Sequence, residues 1–229
     1  MESPRWHICR SAAEVRERAA AWIAEAAQQA VATRGAFRIV LSGGETPRGV
    51  YRALRGLDTD WNAWRIWFGD ERCLAADDPR RNSRMAGEAL LDHVPVPPRQ
   101  VHAIHAEQGA TRAAAAYCET LAGEPEFDLV LLGLGEDGHT ASLFPGGEWG
   151  EAPEAPDVLA VRDAPKPPAE RVSLSARRLG RTRGTLFLVA GAGKRGAVAA
   201  WRAGGRLAAT SIRPPAGVDV LVENICIEG

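Results

Sequence analysis

Residues 131–147, LLGLGEDGHTASLFPGG, carry the clearest chemical signal in the sequence. Gly133, Gly135 and Gly138 follow an apolar run in the spacing G-x-G-x-x-G, which is typical of dinucleotide-binding turns. A dinucleotide site also requires a long helix that begins within the loop, because the helix N-terminus receives the pyrophosphate. Pro145 leaves room for only about two helical turns after the last glycine. The context therefore disfavours a dinucleotide cofactor.

His139, in the same loop, is the candidate for bond chemistry. It lies between Gly138 and Thr140 and not on an apolar helical face, which favours a reactive role over a buried structural one. An imidazole ordinarily titrates close to neutral pH, so it can accept a proton from water as a general base. His102 and His105 have neither thiolates nearby nor a helix that would place both on one face, so no metal site is expected. A purely structural role for His139 stays open at this point.

A second glycine-rich stretch, SGGETP, occupies residues 42–47 and follows another apolar run. Thr46 is expected to cap a helix whose first residue is Pro47, where the missing N–H of proline costs nothing. The backbone N–H groups of such a turn can bind a phosphate monoester. It is not a P-loop, because the Lys-Ser/Thr of that motif is absent, and a plain capped turn is the alternative. The candidate phosphate-binding residues here are Ser42, Gly43, Gly44 and Thr46.

Three cations stand near these loops in the predicted fold. Arg72 follows Asp70 at a strand end, Lys194 precedes a helix, and Arg171 opens a strand. Each alone could belong to a solvated surface. Together, around a glycine-rich turn, they favour an anionic ligand.

The composition limits the function classes. A chain of 229 residues with 45% hydrophobic and 25% charged residues is ordinary for a globular protein and predicts one domain, residues 1–229. The formal net charge of −1 gives no broad basic field, so neither nucleic acid nor a membrane surface is an expected partner. The four cysteines are far apart. The N-terminal segment has no apolar run typical of a signal sequence, and no run approaches the roughly 18 apolar residues of a membrane span, so a cytoplasmic location is expected.

Apolar periodicity predicts strands that alternate with helices. Such alternation favours a three-layer α/β/α domain with a mostly parallel, Rossmann-like sheet. Ligands bind beyond the carboxyl ends of the strands in these sheets, so the loops after Leu41, Phe68, Leu132 and Ala190 are expected to meet at one edge. Residues 145–170 are rich in Pro, Gly and Glu, which predicts an irregular connecting segment on the surface with one strand inside it. The predicted strands are 37–41, 65–68, 127–132, 158–161, 171–175, 185–190 and 218–222, and the predicted helices are 11–35, the segment after Thr46, 83–92, 110–121 and the segment after Lys194.

These segments, taken in order, resemble the 6-phosphogluconolactonases of the glucosamine-6-phosphate isomerase/6-phosphogluconolactonase family. The resemblance runs over nearly the whole chain and rests on SGGETP at 42–47, GDER at 69–72, Asn82 with Met85 downstream, GLGEDGHTASLFP at 133–145 and GAGK at 191–194. The glucosamine-6-phosphate deaminases share the fold, but a deaminase would carry a glutamate where Phe144 stands and a tyrosine where Arg72 stands. The resemblance therefore favours the lactonases.

The resemblance implies hydrolysis of 6-phospho-D-glucono-1,5-lactone to 6-phosphogluconate in the oxidative branch of the pentose phosphate pathway. His139 would deprotonate the attacking water, and Asp70 would orient His139 or a substrate hydroxyl. The phosphate would be held by Gly43, Gly44, Arg72, Lys194 and, as a further candidate, Arg171. Neither a metal ion nor an organic cofactor is expected, and no obligate protein partner is evident.

Two departures from the family pattern leave roles open. Glu45 stands where serine is commoner, and Arg81 precedes Asn82 where serine is commoner. Two other functions also stay open: a phosphosugar isomerase or deaminase of the same fold, and a non-catalytic phosphosugar-binding regulator. A regulator would not need His139. Such regulators usually carry a DNA-binding segment, and the sequence shows no helix-turn-helix pattern with a basic face.

Overall fold

The computed structural model describes residues 3–227 of the chain. Ten strands and six α-helices lie within this range. The strands, in chain order, are β1 (Arg5–Cys9), β2 (Phe37–Leu41), β3 (Trp64–Phe68), β4 (Asp70–Arg72), β5 (Val101–His102), β6 (Leu129–Gly133), β7 (Val158–Val161), β8 (Arg171–Leu174), β9 (Thr185–Val189) and β10 (Asp219–Glu223). The helices are α1 (Ala12–Arg34), α2 (Glu45–Leu54), α3 (Asn82–Ala89), α4 (Ala110–Leu121), α5 (Ala176–Gly180) and α6 (Arg195–Arg202).

Seven strands form one parallel sheet in the order β1-β10-β9-β6-β2-β3-β5. The inner strands β6 and β9 are almost continuously buried, because helices flank the sheet and leave no wet face. Their sequences, LVLLG and TLFLV, are the unbroken apolar runs that such strands require. The predicted α/β architecture with a mostly parallel sheet is confirmed.

The ends of helix α1, which packs on the sheet, are determined by its capping residues. Ser11 caps it, since the side-chain oxygen accepts a hydrogen bond from the Glu14 N–H at 3.2 Å. The Glu14 carboxylate accepts from the Arg10 N–H rather than from Ser11, so only half of a capping box forms. Gly35 ends the helix in the left-handed region, with φ 71°. The predicted helix 11–35 is confirmed to within one residue at each end.

Three strands were not expected from the sequence: β1, β4 and β5. Strand β4 pairs antiparallel with β8, and β8 pairs antiparallel with β7, in a second sheet of three strands. The predicted strands 158–161 and 171–175 thus exist but belong to this smaller sheet. Helix α3 is shorter than the predicted 83–92, because Leu90 leaves helical geometry and a 3₁₀ turn follows at Leu91–His93.

The carboxyl ends of four neighbouring strands position the site. Strands β9, β6, β2 and β3 are adjacent in the sheet and run in the same direction, so the loops that follow them meet at one edge. That predicted convergence is confirmed. Among residues 3–227, no helix combines the length and the apolar character that crossing a membrane would take.

Candidate active site

A cavity of about 390 Å³ opens at this edge and is lined by all four loops. Every residue that the sequence singled out for chemistry or phosphate binding lines it, although lining alone does not establish the role of any of them. These nine residues are Ser42, Gly43, Gly44, Thr46, Asp70, Arg72, His139, Arg171 and Lys194. The cavity is also lined by Glu45 and Asn82, whose roles the sequence left open.

The turn after β2 is held from beneath by Tyr51 of helix α2. The buried Tyr51 hydroxyl donates to the Ser42 carbonyl at 2.8 Å and accepts from the Ser42 N–H at 2.9 Å. Helix α2 begins at Glu45 with Gly44 as its N-cap, so the prediction that Thr46 caps the helix is wrong by two residues. Gly44 has φ 113°, which lets the chain reverse and enter the helix at once. The first turn of α2, which includes Thr46, lines the cavity, and its N–H groups have no cap from the side chain of the N-cap residue.

Gly43 is required because the carboxamide of Asn82 lies directly against it. A Cβ built on Gly43 would overlap the Asn82 Oδ1 atom. Asn82 is buried at the start of helix α3, and its Nδ2 donates to the Asp70 carbonyl at 3.0 Å and to Asp70 Oδ1 at 2.9 Å. One amide side chain thus connects the glycine turn to Asp70.

Asp70 lies against the cavity with both carboxylate oxygens occupied. Oδ1 accepts from Asn82, and Oδ2 accepts from the Ser142 hydroxyl at 2.6 Å. Burial raises the pKa of Asp70, and the charge of Glu71 adds to this, against the opposing effects of Ser142, Arg171 and Arg72. Within residues 3–227, Asp70 makes no hydrogen bond to His139. The structure therefore gives Asp70 no contact through which it could orient His139, and its other expected role, contact with a substrate hydroxyl, stays a prediction.

Asp137 is the carboxylate that contacts His139. Its Oδ1 lies 2.5 Å from His139 Nδ1 and also accepts the His139 backbone N–H at 3.2 Å. Burial tends to raise the pKa of Asp137, but the hydrogen bonds and charge of His139 outweigh it, so this pKa is lowered. An ionised Asp137 can only accept, which fixes the proton of a neutral imidazole on Nδ1 and leaves the Nε2 lone pair free. No hydrogen bond from the described residues reaches Nε2.

The glycine spacing of this loop has a packing explanation that differs from the dinucleotide one. A Cβ on Gly135 would overlap the imidazole of His139, so the second glycine makes space for that ring. Gly138 has φ 82°, and a Cβ there would lie 2.7 Å from Leu207. Two of the three glycines are thus accounted for by the placement of His139 and by the turn before it.

Phe144 covers one side of the imidazole. Its ring centroid lies 4.7 Å from that of His139, and the Arg171 guanidinium lies 5.6 Å from the same Phe144 ring. Phe144 is only 6% exposed, and its carbonyl accepts from the Trp149 indole at 2.7 Å. The position where a deaminase would carry a glutamate is therefore filled by an apolar side chain packed on His139.

Arg72 and Arg171 are direct cross-strand partners in the small sheet. Arg171 is buried and donates to the carbonyls of Lys166 at 3.0 Å and Pro168 at 3.1 Å, while Arg72 donates to the Arg80 carbonyl. The Arg72 Nε is buried without a partner. Among residues 3–227 neither guanidinium has a carboxylate oxygen within 4.0 Å.

Two cations on paired strands, with no carboxylate within 4.0 Å among the described residues, favour an anion between or beside them. Like charges directly opposite each other destabilise a sheet, and a buried charge without a partner is costly. Burial lowers the pKa of Arg171, and the positive charge of Arg72 lowers it further against the attraction of Asp70. Lys194, in the 3₁₀ turn before α6, adds a third cation to the cavity lining.

Glu71 explains the unexpected Arg81. Glu71 is fully buried and accepts from the backbone N–H groups of Asn82 at 2.7 Å and Ser83 at 2.8 Å, which caps helix α3. Arg81 lies 3.4 Å from Glu71 and 2.7 Å from Glu107, so its charge is paired on both sides. Sequence reasoning assigned no role to Asp137, Ser142 and Glu71, and it left the role of Asn82 open. Of these only Asp137 had a usable signal, its spacing of two residues before His139.

Comparison with known proteins gives one family. The profile of the glucosamine-6-phosphate isomerases/6-phosphogluconolactonases matches residues 10–222. The 6-phosphogluconolactonase of Mycobacterium leprae is 40% identical over 192 residues, which cover 78% of this chain and 77% of that protein. The 6-phosphogluconolactonase of Streptomyces coelicolor is 38% identical over 216 residues, which cover 86% of this chain and 82% of that protein.

A solved structure extends this agreement to three dimensions. The 6-phosphogluconolactonase from Trypanosoma brucei superimposes with a TM-score of 0.85 at 28% identity, covering 100% of this chain and 99% of that one. The family profile and the curated relatives each span most of the sequence. The chain therefore belongs to the glucosamine-6-phosphate isomerase/6-phosphogluconolactonase family.

Proposed function

We propose that this chain hydrolyses 6-phospho-D-glucono-1,5-lactone to 6-phosphogluconate, the lactone step of the oxidative pentose phosphate pathway. The curated relatives of the same family, which are 6-phosphogluconolactonases, support the reaction. The assignment of roles to single residues is a finer proposal that rests on the geometry of the cavity.

The substrate phosphate binds to the cationic part of the cavity. Arg72 and Arg171 offer guanidinium donors without a carboxylate partner, and the N-terminus of α2 offers backbone N–H groups behind Gly43 and Gly44. Lys194 contributes a further positive charge. Donors of this kind match the charge and oxygen geometry of a phosphate monoester. Holding the phosphate orients the lactone carbonyl within the cavity.

His139 acts as the general base. Nε2 removes a proton from water as the water oxygen adds to the C1 carbonyl of the lactone, giving a tetrahedral intermediate. The intermediate collapses with cleavage of the bond between C1 and the ring oxygen, and the imidazolium returns its proton to that oxygen. Asp137 keeps the imidazole in the required tautomer and stabilises the positive charge that develops on it.

One observation carries this proposal: His139, held by Asp137, lines the same cavity as Arg72 and Arg171, neither of which has a carboxylate partner. A phosphate grip beside a base with a free nitrogen suits hydrolysis of a phosphorylated ester. Ring opening of an amino sugar would call for a further acid near His139, and Phe144 occupies the neighbouring space.

The test uses freshly generated lactone and the purified protein. Product formation is measured as the NADPH formed by coupled 6-phosphogluconate dehydrogenase and is compared with the spontaneous rate of lactone hydrolysis. In parallel, glucosamine 6-phosphate is added to the protein and the release of ammonia is measured. Lactone loss well above background without ammonia supports the proposal. Ammonia without lactone hydrolysis, or tight phosphosugar binding with neither activity, contradicts it.

A further inference from the structure

Ala141, two residues after His139, has a backbone conformation that alanine disfavours. Its φ is 47°, and among the non-glycine residues of 3–227 it alone has a positive φ. In this region the Cβ of an L-residue approaches a carbonyl oxygen, so the surrounding structure must enforce it. Ala141 lines the cavity beside His139. The strain therefore lies in the short segment that aims the imidazole.

The contacts of the residue that follows Ala141, Ser142, fix its position. Its hydroxyl donates to Asp70 Oδ2 at 2.6 Å, and its backbone N–H donates to the Ser173 hydroxyl at 3.3 Å. Both partners are buried, and Ser142 itself is 1% exposed. Ala141 and Ser142 are the two central residues of a turn, which is closed by a hydrogen bond from the Leu143 N–H to the Thr140 carbonyl at 2.9 Å.

The anchor itself is fixed. Asp70 is buried, its second oxygen is engaged by Asn82, and its strand β4 is paired with β8. The hydrogen-bond acceptor of Ser142 is therefore held in place by the rest of the fold, and it would not move with the loop if the loop relaxed. A strained turn with a rigid anchor one residue away is the arrangement expected where backbone strain serves a site.

We propose that Ser142 is a positioning residue: its hydrogen bond to Asp70 holds Ala141 in the left-handed region and so keeps His139 directed into the cavity. Asp70 then acts through Ser142 on the loop, and not on the imidazole. This inference rests on the proposed function only where activity is the readout.

A double-mutant cycle tests it. Ser142→Ala is expected to lower kcat by about tenfold with a smaller change in KM, because relaxation of Ala141 turns the base away while leaving the phosphate grip. Glycine has no Cβ, so the left-handed conformation costs it nothing. In an Ala141→Gly background, Ser142→Ala should therefore lower kcat markedly less than in the wild-type background.

Two matched variants separate this effect from general loosening. Ala122→Gly places a glycine at an exposed residue with φ −61°, where no strain exists, and should not reduce the loss caused by Ser142→Ala. Ser211→Ala removes another buried hydroxyl, bonded to the Ala208 carbonyl at 2.6 Å outside the cavity, and controls for lost stability.

The imidazole resonances of His139 give a readout that does not depend on activity. The chain has five histidines, so a His139→Gln spectrum assigns the signal. The inference predicts a shifted signal in Ser142→Ala that returns toward wild type when Ala141→Gly is added. This result would stand even if His139 proved not to be the base, which would contradict the proposed function alone. An equal kcat loss in both backgrounds, or an unchanged His139 signal in Ser142→Ala, overturns the inference.

Discussion

Replacement of Asp137 by asparagine isolates the charge that the structure places on His139. The Asp137 Oδ1 to His139 Nδ1 distance is 2.5 Å, and the two side chains are 33% and 21% exposed. Asparagine keeps the size and an acceptor oxygen but loses the negative charge. It can also present its amide nitrogen to Nδ1, which would favour the tautomer with the proton on Nε2.

The expected effect follows from that geometry. A hydrogen bond to a charged group contributes about 1.5–3 kcal/mol, and partial exposure selects the lower part of this range, about 1.5–2 kcal/mol. If this energy applies to the transition state, in which the imidazole gains its charge, kcat should fall by roughly 10- to 30-fold. KM and the affinity for 6-phosphogluconate should change little, because Asp137 is not among the groups assigned to the phosphate.

The assay measures kcat and KM on fresh 6-phosphogluconolactone, with product affinity from titration calorimetry. Glu136→Gln is the matched control, since it removes one negative charge from the adjacent exposed residue without contacting the imidazole. A kcat for Asp137→Asn equal to that of Glu136→Gln would refute the reasoning. An equal loss of product affinity would assign Asp137 to binding instead.

Three further predictions concern the cavity walls. Gly43→Ala should weaken 6-phosphogluconate binding by about tenfold, because the new methyl group must displace a buried amide, whereas Gly196→Ala, with open space around it, should not; calorimetry decides, and equal affinities would contradict the account. Burial raises the pKa of Asp70 in the folded chain, so the wild type loses stability as pH rises from the ordinary carboxyl value through that raised pKa. The melting temperature of Asp70→Asn relative to wild type should therefore increase as the pH rises above about 4, and a constant difference would contradict the burial argument. The chain has only two lysines, so acylation mapped by mass spectrometry should show 6-phosphogluconate protecting Lys194 but not the exposed Lys166, and equal protection would remove Lys194 from the phosphate site.

The parallel sheet and the edge that carries the candidate site could be predicted because buried strands have a recognisable apolar sequence. Runs such as FRIVL and TLFLV are mostly apolar, and a glycine-rich turn within two residues of each marks the carboxyl edge. The strand DER at β4 carries no such signal, since it is three polar residues long and depends on pairing with β8. Strand β1 lies at the edge of the sheet, and its partly exposed sequence RWHIC lacks an apolar run.

The residue types of the site were readable, but their partners were not. His139 and the cations stood out by type and by position after strand ends. The pairing of Asp70 with Ser142 joins residues 72 positions apart, so no local pattern predicts it. The G-x-G-x-x-G spacing misleads for a related reason, because Gly135 is needed to accommodate a side chain that folds back over it.

The most direct test of the central claim is the effect of His139→Gln on lactone hydrolysis and on product binding, measured on the same preparation. A general base contributes roughly 10²- to 10⁴-fold, so kcat should fall by that factor while the Kd for 6-phosphogluconate stays close to the wild-type value. A His139→Gln variant that retains most of its kcat would contradict the assignment of His139 as the base.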